Sequence, residues 1–81
     1  MMGLRDRLAA RQRHTQLLAA ANRTIHTQLL HGNTLRPEPA TMVALSFAMF
    51  AIRLDAAEAR DYLNAALAER GYPLLNEGGD Q

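Results

Sequence analysis

Apolar residues in the first third of the chain recur at alternating spacings of three and four residues, which predicts one long helix over about residues 4–30. The stripe that they form consists of Leu4, Leu8, Leu18, Ile25 and Leu29, with Arg11, Thr15 and Asn22 completing its register. This spacing is typical of a coiled-coil seam with polar interruptions, in which Asn22 would fix the register of a helix pair. An ordinary amphipathic helix with a partly exposed middle has the same spacing, so both interpretations stay open. The residues His31-Gly32-Asn33 then end the helix, because glycine and asparagine tolerate left-handed backbone geometry.

The segment MVALSFAMFAI, residues 42–52, has a single polar side chain, Ser46, and predicts a second helix over about residues 41–54. It follows a loop that contains two prolines. Thr41 is the expected N-cap, although a start at Pro39 is equally compatible with the tolerance for proline in a first helical turn.

Bulky apolar side chains occupy two faces of this second helix, and the stripe between them consists of Ala44, Ala48 and Ala51. A helix that is apolar nearly all round is buried nearly all round, so we expect it at the centre of the domain. The alanine stripe leaves room for a third neighbour, but the chain offers only two other predicted helices. Ser46 is expected on the side that faces water, with its hydroxyl donating to the backbone carbonyl one turn back.

A third helix is predicted over about residues 56–70, and its boundaries are the clearest in the sequence. Asp55 and Glu58 form a start that resembles a capping box, in which each residue satisfies a free amide of the first turn. Gly71 provides a left-handed exit and Pro73 prevents continuation. The second and third helices then meet at Asp55 with almost no loop, which favours a sharp turn.

The predicted fold is therefore all-α: one compact three-helix domain over residues 1–81, with a central apolar helix. The tail YPLL should fold back onto the bundle and residues 76–81 should fray. A core of this size supplies only about 3–5 kcal/mol, and the absence of cysteine removes disulfides. We therefore expect a homodimer or a subunit of a larger complex. The candidate self-association residues are Leu18, Asn22, Ile25, Ala44, Ala48 and Ala51.

Charge is distributed unevenly along the chain, although the net charge is only +1. Residues 1–36 carry six arginines against Asp6 alone, a net +5, and residues 37–81 carry three arginines against seven carboxylates, a net −4. Such polarity steers association with a partner of matching pattern, including a second copy. The candidate residues for binding a protein partner or nucleic acid are Arg5, Arg7, Arg11, Arg13, Arg23, Glu58 and Asp61.

Residues that could carry chemistry are scattered. The three histidines, at positions 14, 26 and 31, lack the i, i+4 spacing that places two imidazoles on one helix face for zinc. Glu58 and Asp61 lie one turn apart, but an alanine-rich outer face favours a solvated acidic patch over an acid–base pair. We expect no catalysis, cofactor or metal. The charged N-terminus lacks the apolar core of a secretory signal, and the apolar run is too short to span a bilayer, so a cytoplasmic location is expected.

The direction of the arginines decides between two functional hypotheses. They encircle the predicted first helix instead of lining one face, which suits weak phosphate contact better than reading of bases. The favoured hypothesis is a non-enzymatic protein-interaction module, an inhibitor or adaptor acting on a larger protein or nucleoprotein assembly. Small helical proteins encoded by phages or plasmids are often of this type. The alternative is a small dimeric DNA- or RNA-binding protein that uses the arginine-rich N-terminal helix.

Overall fold

Three helices make up the computed structural model, which describes residues 3–30 and 37–75. They are α1 (Leu4–Leu30), α2 (Pro39–Phe50) and α3 (Ala56–Glu69). These described ranges contain no β-strand. The all-α, three-helix class is confirmed, as are the bounds of the first and third helices to within a residue. The stop at residues 31–33 and the fraying of residues 76–81 lie outside the described ranges.

The helices alternate in direction along the bundle, and each of the three packs against the other two. Side-chain contacts join Arg13 to Glu58, His14 to Tyr62 and Asn22 to Arg70. Along these three contacts the residue numbers of α1 and of α3 increase together, so the two helices run parallel. The helix α2 connects them in the chain and runs in the opposite direction. It starts near the end of α1, where the Glu38 amide donates to Gln28 Oε1 at 2.8 Å.

The helices α1 and α3 contribute most of the buried core. Its apolar members are Leu17, Ala20, Ala21, Ile25, Met42, Leu54, Ala59, Leu63, Ala66 and Leu67. Thr24 is also fully buried, and its hydroxyl donates to the Ala20 carbonyl at 2.8 Å. Alanine at four of the ten apolar positions allows close approach of the helices that carry it, while the leucines fill the space around them.

The central position predicted for the second helix is wrong. Only Met42 and Ser46 of α2 are fully buried, and Phe47 keeps 52% of its surface exposed. The alanine stripe at residues 44, 48 and 51 is exposed as well. Ser46, expected to face water, points into the bundle instead. With only two neighbours of its own chain, a helix of a three-helix bundle keeps an outer side, whatever its composition.

The face of α1 that packs is also different from the predicted seam. Leu4 and Leu8 are 71% and 55% exposed, and Leu18 is half-buried. Among the described side chains of the stripe, only Ile25 lies in the core. At 100° per residue the buried face is centred roughly 120° from the leucine stripe. The sequence pattern gave weight to large side chains, whereas the core of α1 relies on small ones such as Ala20. The side chain of Leu29 is outside the description.

The helix α2 begins at Pro39, the alternative start, and ends earlier than predicted. Its N-cap is Glu38, in extended geometry with Pro39 in the first turn, in place of Thr41. It ends because Ala51 adopts the left-handed conformation, with φ 57° and ψ 32°. The Ala51 amide donates to the Phe47 carbonyl at 2.8 Å. The connection to α3 is therefore longer than the predicted one, and it allows Ile52 to pack against the core.

The ends of α3 follow the predicted chemistry in part. The Asp55 carboxylate accepts from the Glu58 amide at 2.8 Å, which is the expected N-cap bond. The Glu58 side chain turns to Arg13 instead of completing a capping box. Gly71 has a φ of 74°, as a left-handed exit requires. In the tail, Leu75 packs on the core and its amide donates to Asn64 Oδ1 at 2.7 Å.

Substitution of Ala51 by glycine should stabilise the fold, because glycine adopts the left-handed conformation without the Cβ clash that costs alanine about 1 kcal/mol. We expect the free energy of unfolding to rise by about that amount in denaturant titrations. The same change at Ala44, exposed within α2, is the matched control and should lower it by about 1 kcal/mol. Equal effects at the two positions would contradict the assignment of Ala51 as the helix end.

Substitution of Ser46 by alanine should also stabilise the fold. Its Oγ is buried and has no hydrogen-bond partner among the described residues, and an unpaired buried hydroxyl costs about 1–3 kcal/mol. We expect a gain of about 1 kcal/mol in the free energy of unfolding. Thr24→Val serves as the control, because its buried hydroxyl is already paired. A loss of stability in Ser46→Ala would show that the hydroxyl finds a partner in solution.

Candidate interaction surfaces

The first surface is the N-terminal arm, defined here as residues 3–12 of the chain. All ten residues are exposed. The arm exists because α1 has 27 residues and its parallel neighbour α3 has 14, so that α1 extends beyond the first contact of the two helices at Arg13 and Glu58. Because the arm continues a helix that the bundle has already nucleated, it can extend without packing of its own, and its apolar side chains stay exposed.

The arm carries most of the predicted basic residues. Arg5, Arg7 and Arg11 are exposed along it, with Asp6 in the first turn. At 100° per residue, Arg7 and Arg11 point within about 40° of each other and Arg5 points about 160° away from Arg7. The prediction that these arginines encircle the helix therefore holds for the observed helix. Arg23 is exposed too, but it lies in the bundle portion of α1.

Arg13 and Glu58, two other predicted binding residues, contact each other. Arg13 Nη1 lies 3.4 Å from Glu58 Oε2, and the side chains are 43% and 45% exposed. An ion pair this exposed contributes less than about 1 kcal/mol. Its effect is to join the base of the arm to α3, which leaves Arg13 less available than its neighbours for a partner.

The second surface is a groove of about 350 Å³ between α1 and α3, where the arm meets the bundle. It is lined by His14, Leu18, Asp61, Tyr62, Ala65 and Glu69. His14 Nδ1 and Tyr62 Oη lie at hydrogen-bond distance, 2.9 Å, and their rings are tilted by 52° at a centroid separation of 5.4 Å. The groove offers an apolar floor and two carboxylates. It therefore suits a ligand with an apolar body and positive charge.

Two of the predicted self-association residues are engaged within the chain. Ile25 is 2% exposed and belongs to the core, so its assignment to a self-association surface is corrected. Asn22 is half-buried; its Nδ2 donates to the Leu18 carbonyl at 3.0 Å and its Oδ1 accepts from Arg70 Nη2 at 2.9 Å. Asn22 therefore ties α1 to the end of α3. Leu18 remains accessible in the groove.

The third surface is the outer face of α2, defined by Ala44, Phe47, Ala48 and Ala51. The face has no charged side chain; Met49 is exposed too, but at 100° per residue it points about 100° away from Ala48, the nearest member of the face. The Arg53 guanidinium carbon lies 5.3 Å from the centre of the Phe47 ring, close enough for a cation–π contact. The predicted alanine stripe is thus available to a partner.

The groove is the surface that the sequence pattern did not predict. Its histidine and tyrosine are 48 positions apart, and no local signal connects them. The information needed is that α1 and α3 run parallel, with residue 14 beside residue 62. Tyr62 at the edge of an apolar helix face was the available hint, since a tyrosine there places its hydroxyl at the boundary with water.

Within the described ranges, no group of three or more His, Cys, Asp or Glu side chains is placed to hold a metal ion. Nor is any helix in this part of the chain both long and apolar enough to cross a bilayer. Comparison with known proteins gives no match to a family model, to a curated protein or to a solved structure. The three surfaces are therefore the basis for a functional assignment.

Proposed function

We propose that the chain is a non-enzymatic protein-interaction module, an inhibitor or adaptor that acts on a larger protein or nucleoprotein assembly. The observation that supports this best is the outer face of α2. It leaves a half-exposed phenylalanine and three alanines uncovered, in a helix whose composition is that of a buried one. Contiguous exposed apolar surface of this kind marks interaction sites.

The shape of this face suits a helical or flat protein partner. Alanines at 44 and 48 lie one turn apart and allow a partner backbone to approach closely. Phe47 beside them is a large, rigid anchor of the kind that dominates interface energetics. Arg53 at the rim can exchange its contact with the ring for a partner carboxylate, which would add specificity.

The polar contacts of the bundle support a binding role in preference to catalysis. Arg13 with Glu58 and Asn22 with Arg70 both connect α1 to α3, and each therefore has a structural role. Self-association is part of the proposal as well. It is supported by the two separate surfaces, the arm and the outer face of α2, that a domain with so small a core leaves exposed.

Affinity capture from the lysate of the source cell tests the role of α2, with Ala48→Glu as the variant. A charge placed on the outer face should abolish retention of the partner protein, whether or not nuclease is added. Ala68→Glu, which makes the same change at an exposed position of α3, is the matched control and should retain the partner. Equal retention by both variants would contradict a binding role for this face.

Nucleic-acid binding is the second candidate function, and the arm is the observation that favours it. Arg5, Arg7 and Arg11 are exposed and form no ion pair with any described residue, so they are free to contact phosphate. Their spread around the helix suits sequence-independent contact with the backbone of DNA or RNA.

Binding of duplex DNA as a function of salt tests this candidate. Three phosphate contacts should give a slope of about −2.7 in log K against log salt. Replacing the three arm arginines by alanine should remove the binding, while replacing them by lysine should preserve it, because both residues carry the charge. Absence of binding at low salt, or binding that survives the alanine replacements, would eliminate the arm as a nucleic-acid site.

A further inference from the structure

We propose that the N-terminal arm of one copy occupies the groove between α1 and α3 of a second copy, so that two chains form an antiparallel, two-fold symmetric dimer. This inference rests on the self-association included in the proposed function and specifies its surface and geometry. It assigns the dimer contact to α1 and leaves the outer face of α2 free for another protein.

The leucine stripe of α1 provides the apolar part of the contact. Its register continues from the exposed arm, at Leu4 and Leu8, through the polar positions Arg11 and Thr15 to Leu18 in the groove. The same stripe is rotated away from the core of the chain's own bundle. A seam with this spacing packs against a second helix that has the same spacing, and the second copy is a helix that does.

An antiparallel pair centred on residue 13 satisfies both parts of the stripe. Two residues then lie opposite each other when their numbers add up to 26. Leu8 of one copy therefore faces Leu18 of the other. Leu8 of the second copy enters the groove beside Tyr62, and the symmetric contact forms at the other end. Each arm thus gains the covering that it lacks in the single chain.

Charge at the two ends of the contact supports the same arrangement, whereas Arg11 and Arg13 of both copies lie near the two-fold axis at its centre. The arm has three arginines and one aspartate, and the α3 wall of the groove has Asp61 and Glu69. Arg7 points in the direction of His14 and Leu18, the two α1 residues that line the groove, whereas Arg5 points about 160° away from Arg7. In the antiparallel pair, Arg7 of the second copy therefore lies alongside the stretch of α3 that ends at Glu69. Opposite charges meet twice, once in each groove.

Site-specific disulfide formation tests the register, and the absence of native cysteine means that only introduced thiols can react. Leu8→Cys and Leu18→Cys chains, mixed and mildly oxidised, should form a mixed disulfide dimer. Neither variant alone should form a disulfide dimer. Residue 8 of one copy faces residue 18 of the other, so the two residues 8 lie ten residues apart, about 15 Å along the helix. A disulfide needs Cα atoms within about 7 Å. Rapid linking of Leu8→Cys to itself would indicate a parallel pair and overturn the proposal.

Charge reversal tests the direction of the contact. In sedimentation equilibrium, Arg7→Glu should raise the dimer dissociation constant about tenfold and Arg5→Glu, the matched control in the same arm, less than about twofold. Combining Arg7→Glu with Glu69→Arg should recover most of the affinity. Equal effects of Arg5→Glu and Arg7→Glu would overturn the proposal. Unchanged helicity by circular dichroism verifies that each variant is folded, as expected for residues outside the core.

A substitution on the outer face of α2 distinguishes a dimer formed through α1 from a dimer formed through α2. Ala48→Glu should leave the dimer intact, whereas Leu8→Asp should weaken it about 30-fold or more, as for a residue central to an interface. If Ala48→Glu separates the copies and Leu8→Asp does not, the dimer forms through α2 and the proposal is wrong. A wild-type chain that stays monomeric throughout a concentration series also overturns it. In that case, capture of a target through α2 can still succeed, so the two proposals fail independently.

Discussion

Close packing of the three helices, with alanine at four of the ten buried apolar positions, is the constraint on which the other features of the structure depend. Ala20 and Ala21 of α1 and Ala59 and Ala66 of α3 are almost completely buried. Small side chains bury little apolar area individually, so their contribution depends on helices that approach closely enough for many dispersion contacts. This packing fixes which face of α1 is internal. It thereby turns the leucine stripe outward and confines α2 to one side of the bundle.

Unequal helix length then separates the molecule into a packed part and an extended part. The bundle uses α1 from about residue 13 onward, and the arm continues past it with apolar and basic residues that no described part of the chain covers. The groove at the junction has the opposite charge. Together with the outer face of α2, this gives a small domain two chemically different surfaces, one charged and leucine-containing, the other uncharged and rich in alanine. The two proposals assign the first surface to a second copy of the chain and the other to a target protein.

Sequence pattern alone was sufficient for the number of helices and for most of their ends. Capping residues act locally, so Asp55 and Gly71 could be assigned from their neighbours. The orientation of each helix could not, because it depends on partners distant in sequence. Leucines 4 and 8 form a clear stripe, yet the core selected Ala20 and Ala21, whose hydrophobicity is too slight to dominate a pattern. The early end of α2 at Ala51 was also hidden, since alanine normally favours helix and is held here in a left-handed turn by its surroundings.

The parallel arrangement of α1 and α3 also has a consequence for how the chain folds. The contacts that hold these helices together join residues 45 to 48 positions apart, whereas α2 and α3 are neighbours joined by a short connection. Closing the longer loop carries the larger entropic penalty, so we expect α2 and α3 to pair first. During synthesis α1 leaves the ribosome before α3 exists. At about 5–20 residues per second, its apolar face remains uncovered by α3 for a time on the order of seconds, and chaperones can bind it during this interval.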